Sequence, residues 1–251
     1  MDTELLIAVA VLWGAATGAL LPRAAYRFAV PAGEEWREHC PRGHAIAGWV
    51  GRARCGECAD GAVTVVPKTS SYGPGSAPLA LVTALLCAAL AYATDTRPEL
   101  AVWLLLTPVW VLLAAVDLRV RRLPDLLTLP FAAAALALLG LVSLVPEHTG
   151  NWPNALLGAL ALAVAYYVLW LINPGGMGFG DVKLAVGAGA VLGWYGWSTV
   201  MLGTLAGFFL GALYGWTLVA VRKAGRKTAI PFGPFLIAGA YAGLLIGAYA
   251  A

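Results

Sequence analysis

The chain has 251 residues, 61% of them hydrophobic and 12% charged, with a formal net charge of +3. A water-soluble domain of this size has no way to keep so much apolar surface from water, so the bilayer must act as its solvent. The basic residues are scattered rather than gathered into a stripe, which argues against nucleic-acid binding.

Apolar runs approaching the roughly 20 residues that cross a hydrocarbon core recur at about 4–21, 78–94, 100–116, 126–145, 154–172, 181–195, 197–220 and 230–250. They predict an all-α polytopic membrane protein of about eight transmembrane helices. The first run follows Met1-Asp2-Thr3-Glu4 and is closed by Leu21-Pro22-Arg23. With neither a basic start nor a small-residue cleavage site, it reads as a retained span rather than a signal peptide. The chain thus divides into a first helix (1–21), a polar insert (22–77) and a membrane core of helices 2 to 8 (78–251). Of the 16 Lys and Arg residues, all but Arg97 fall in or beside the segments after spans 1, 3, 5 and 7. Basic residues in short loops favour the cytoplasmic side, so these segments are expected there, with both termini outside.

The insert carries three of the four cysteines and a Gly/Ser/Pro-rich exit from Lys68 to Pro78. It is too short to bury a large core, so a metal or docking onto the helices is the expected support. Val63, Val65 and Val66 suggest one short strand. Cys40-x3-His44 and Cys55-x2-Cys58 lie on the reducing side, where such groups bind metal more often than they form disulfides. Cys40, His44, Cys55 and Cys58 make up a Cys3His set of the kind tetrahedral zinc accepts, with His39 as an alternative nitrogen donor. Cys87, inside span 2, reads as a packing residue.

Ionisable residues at the edge of a span need a reason to be there. Asp117 closes span 3 and Asp181 opens span 6, after the turn Asn173-Pro174-Gly175-Gly176-Met177-Gly178-Phe179-Gly180. The topology puts both at one membrane face. Two carboxyls brought together there oppose double ionisation and share a proton, so one serves as base and the other as acid in water attack on a peptide carbonyl. Gly178 and Gly180 would let the backbone lie close to an extended substrate. Taken singly, each aspartate is equally well explained as a helix cap, or for Asp117 as a partner of Arg119, Arg121 or Arg122. Asp125, after Pro124, reads as a cap, and Lys183 as a residue that snorkels to the interface. Gly203-x-x-x-Gly207-x-x-x-Gly211 lines one helical face and reads as a packing stripe.

Gly178-Phe179-Gly180-Asp181-Val182-Lys183 resembles the Gly-x-Gly-Asp-(Val/Ile)-Lys signature of the type IV prepilin peptidases. Asp117 with Arg122-Leu123-Pro124-Asp125 is similar to their Asp-x6-Pro-(Asp/Asn) element, and Ile230-Pro231-Phe232-Gly233-Pro234-Phe235 to the opening of their last helix. The resemblance implies an aspartyl endopeptidase of the bacterial inner membrane, its active site facing the cytoplasm. Its substrates would be prepilins and the pseudopilins of type II secretion, cut after a short basic leader. Asp117 and Asp181 would be the catalytic pair, with Gly178, Gly180 and Lys183 in the active-site loop. Many members then methylate the new N-terminal amine with S-adenosylmethionine, and for this chain that cofactor rests on the resemblance alone. The longer members have two Cys-x-x-Cys pairs; here Gly43 stands where one cysteine is expected. Pro22 likewise stands where the family has Asn at the end of helix 1. A presenilin-like intramembrane protease, or a transporter using the two aspartates as a proton or cation relay, would also suit acids beside a Gly/Pro-broken segment.

Overall fold

The computed structural model describes residues 2–31, 33–60, 70–221 and 231–251. Val63, Val65 and Val66, together with Lys68, Arg222, Lys223, Arg226 and Lys227, lie outside the described residues. Among the described residues the helices are α1 (Thr3–Phe28), α2 (Gly56–Asp60), α3 (Ser76–Thr94), α4 (Glu99–Val120), α5 (Asp125–Val142), α6 (Trp152–Ile172), α7 (Phe179–Trp194), α8 (Trp197–Ala220) and α9 (Gly233–Ala250). Each of the eight expected spans is a helix. Seven are long and apolar enough to cross a membrane, which makes the protein a multi-pass membrane protein. The exception is α7, whose 16 residues extend about 24 Å, short of the ~30 Å hydrocarbon core. Its side chains from Asp181 to Trp194 are mostly buried, so it is the interior helix of the bundle.

The first helix does not stop at residue 21. Pro22 lies in line, and because it brings no N–H the ladder opens there. Gly51 of the insert fills the opening: its N–H donates to the Leu20 carbonyl at 2.7 Å, and its carbonyl accepts from the Arg23 N–H at 3.0 Å. Gly51 has φ +134°, a conformation open to glycine and to few other residues. The helix therefore runs on to Phe28 and gives the insert a rigid base. The buried Arg27 lies 3.9 Å from the Trp49 ring and donates to the Gly48 carbonyl at 2.8 Å, while Phe28 packs between Trp36 and Trp49.

Without a hydrophobic force between helices in lipid, packing rests on small residues that let backbones approach. Three antiparallel pairs use this device. A Cβ on Gly14 or Gly18 of α1 would meet the Thr83 or Leu79 carbonyl oxygen of α3 at 2.6 Å. On Gly158 of α6 it would meet the Gly189 oxygen of α7 at 2.5 Å. The Gly203 and Gly207 stripe of α8 seats on Gly239 and Phe235 of α9 at 3.2 and 3.1 Å, as the spacing predicted. Cys87 is fully buried in the core.

Gly189→Ala forces a methyl onto the Gly158 carbonyl and should cost about 1–3 kcal/mol as an overpacked contact. It should show as a clearly lower thermal midpoint in detergent, whereas Gly175→Ala, whose nearest neighbour would be the Asn173 side chain at 3.9 Å, should leave the midpoint in place.

Candidate active site

Asp117 lies in the last turn of α4 and Asp181 in the first turn of α7, and both are buried, at 4% and 6% exposure. Each carboxylate is held by backbone at a helix N-terminus. Asp181 Oδ2 accepts from the Gly178 N–H at 3.1 Å, the cap the sequence allowed. Asp117 Oδ2 accepts from the Gly233 N–H at the start of α9, at 3.1 Å. The arginine pairings open to Asp117 on sequence are not used: among the described residues it makes no ion pair. The positive end of a helix dipole favours an anion without introducing a second full charge.

The two carboxyls line one cleft of about 420 Å³ with Gly178, Gly180 and Phe232. A larger cleft of about 520 Å³ between α1 and the start of α3 is lined, among the described residues, by Arg52 and Arg54 and by no carboxyl. Gly180 is used for packing: a Cβ there would lie 2.8 Å from the Leu123 Cβ. Gly178 has room beside it, its nearest neighbour being Asp181 Oδ2 at 3.5 Å.

Two sequence readings change. Asp125 does not cap α5, since no side chain caps that helix; its carboxylate binds Lys183 Nζ at 2.6 Å. Lys183 therefore neither snorkels freely nor neutralises Asp181. It closes the wall between α5 and α7 and lies over the Phe179 ring at 5.1 Å. The roles of Gly233 and Leu123 were not readable from the residues alone, although the Pro-Phe-Gly-Pro resemblance marked the segment that carries Gly233. The insert also reaches the cleft: Arg122, which lines it, donates to the Pro31 carbonyl at 2.7 Å and lies 5.4 Å from the Trp36 ring.

Within the insert Cys40, His44, Cys55 and Cys58 present ligand atoms that all lie within 4.8 Å of one another. His44 Nδ1 is 3.2, 3.5 and 3.6 Å from the sulfurs of Cys58, Cys55 and Cys40. His39 is not part of the group; its carbonyl accepts from the Tyr26 hydroxyl at 3.2 Å. His44 Nε2 faces Glu57 at 3.5 Å, an outer partner that fixes ring orientation as metal-bound imidazoles require. Burial opposes ionisation at Cys40, but the Arg42 and His44 amides and the neighbouring thiols outweigh it and bring it down to about 7. Burial and those thiols push Cys58 up to about 11. One thiolate is favoured and a second opposed, a conflict a cation relieves. The cluster could bind a metal ion.

The fold and the paired carboxyls define a multi-pass helical membrane protein with a two-carboxyl site at the end of the bundle that carries the insert. Residues 104–216 match the model of the type IV leader peptidase family. The chain is 33% identical over 219 residues to the prepilin leader peptidase/N-methyltransferase of Pseudomonas aeruginosa, covering 83% of this chain and 71% of that one. It is 30% identical over 256 residues to the like-named protein of Burkholderia pseudomallei, covering 89% and 70%. With that of Aeromonas salmonicida it shares 35% over 175 residues, 66% of this chain and 56% of that one. The chain belongs to the type IV leader peptidase family. It spans little more than half the length of several relatives it matches, 56% in the Aeromonas case. No solved structure matches it.

Elemental analysis of the purified protein should find about one metal ion per chain. Cys55→Ser should lower that value to near zero, while Cys87→Ser leaves it unchanged.

Proposed function

We propose that the protein is a membrane aspartyl endopeptidase that removes the leader of type IV prepilins or pseudopilins at the cytoplasmic face of the bacterial inner membrane. The observation that carries this reading is the pair of buried carboxyls, Asp117 and Asp181, lining one cleft and each fixed by a helix N-terminal amide. One carboxylate takes a proton from water as its oxygen attacks the scissile carbonyl, and the other, protonated, gives its proton to the departing amine. Each group then holds the other's former state, and a proton shift restores the pair. Gly178 leaves room for an extended chain beside Asp181, and the Lys183–Asp125 pair holds the start of α7 against α5.

A relay across the membrane is disfavoured. Glu99 is buried at the opposite end, and between it and the aspartates α4 contributes Trp103, Leu106, Trp110 and Leu113 to the apolar core. Presenilin-like specificity lacks support beside relatives named for prepilins. The metal is proposed to be zinc, because a tetrahedron with metal–sulfur bonds near 2.3 Å has edges of about 3.5–3.8 Å, and His44 Nδ1 lies 3.2–3.6 Å from the three sulfurs, with Cys40 Sγ 3.8 Å from Cys58 Sγ. Zinc would order the insert rather than cleave. N-methylation of the new amine with S-adenosylmethionine is proposed from the relatives' names alone.

With a purified prepilin, Asp117→Asn and Asp181→Asn should each lower cleavage by at least about 1,000-fold, the scale of losing general acid–base catalysis, and leave the protein folded. Asp125→Asn keeps a hydrogen bond to Lys183 and should retain measurable cleavage. Near-parental turnover by either dyad variant would end the assignment. The orientation predicts that cysteines placed at Thr96 and Glu147, both exposed, react with an impermeant maleimide from outside intact cells, and that one at Gly175 reacts only after lysis.

A further inference from the structure

The α6–α7 pair is antiparallel, and its register is set by close approaches: Gly193 against Asn154 and Ala155, and Gly189 against Gly158 and Ala159. About two turns along α6 from Ala159 stands Tyr166, and about two turns back along α7 from Gly189 stands Val182. Tyr166 therefore sits at the level of Asp181. Its ring is fully buried and packs on Phe208 and Phe232, with centroids at 5.6 and 6.1 Å. Phe232 lines the cleft with both aspartates and precedes the glycine whose amide holds Asp117.

The Tyr166 hydroxyl has no hydrogen-bond partner among the described residues. A hydroxyl buried without a partner carries its whole desolvation cost. Phenylalanine would fill the same space among the same aromatic rings without it, so packing does not account for the oxygen. Asp181 has an acceptor to offer, since among the described residues the Gly178 amide engages Oδ2 and nothing engages Oδ1.

We infer that Tyr166 is a positioning residue whose hydroxyl donates, directly or through one water, to the ionised Asp181 carboxylate and so leaves the shared proton on Asp117. No bond to the phenolic proton breaks; it stays on Tyr166 throughout. The inference rests on reading Asp117 and Asp181 as the working pair. It assigns them different parts, Asp181 the base and Asp117 the acid.

Tyr166→Phe removes only the oxygen. It should lower kcat about 10- to 100-fold, the worth of a hydrogen bond to a charged group. KM for the prepilin should stay within about twofold, and the thermal midpoint should fall only by the worth of one hydrogen bond. A parental kcat overturns the proposal, and so does a fall in kcat matched by a proportional rise in KM, which would make Tyr166 a packing residue. A thermal cycle of parent, Tyr166→Phe, Asp181→Asn and the double variant needs no turnover. Midpoint shifts that fail to add support the contact, and additive shifts refute it. If the parent does not cut prepilin, the endopeptidase reading fails, and the cycle still decides the Tyr166–Asp181 contact.

Discussion

Two carboxylates withdrawn from water at the end of a helix bundle need positive potential close by. A lysine or arginine beside them would supply it, but would also lock both in the charged form. Among the described residues the hydrogen bonds to both carboxylates come from backbone amides. Asp181 sits on the first turn of its own helix, and Asp117 on the first turn of a helix far along the chain. Lys183, two residues on from Asp181, is engaged by Asp125. Partial charges at helix ends hold the pair in place without adding a full positive charge. The loop after α4, the entry to α7 and the start of α9 all have to converge for this to hold.

That convergence depends on how closely the backbones approach. Glycine carbonyls and α-carbons touch where α6 meets α7 and where α8 meets α9, so those pairs have little freedom to slide. A shift of one residue along α7 would carry Asp181 about 1.5 Å along the axis and turn it about 100° around it. The buried aromatics, among them Trp103, Trp110 and Tyr166, fill what the glycines do not.

Much of this was legible in the sequence, because the signals are additive along the chain. Hydropathy located eight helices, all but the first to within a few residues, and the Cys/His spacing marked the residues that cluster, with His44 and His39 both open as the nitrogen donor. The failures share one cause. Pro22 marked the end of the first helix only if no outside donor could repair the ladder, and Gly51, which repairs it, lies well along the chain. Asp125 looked like a cap because its partner, Lys183, belongs to a different helix. Gly233 is named by a motif, but nothing in the motif says that its amide is given to Asp117. Long-range polar contacts leave no local periodicity to read.

The Gly233–Asp117 bond joins positions 116 residues apart, and it has a consequence for how the protein is made. At a synthesis rate of about 5–20 residues per second, roughly 6–23 s separate the emergence of Asp117 from that of the amide that holds it. Throughout that interval the upper helices can pair, but the acid on α4 has no seat. The seat for Asp117 arrives in a single late step, with insertion of α9, so in an unfinished chain the two carboxyls are not yet both held.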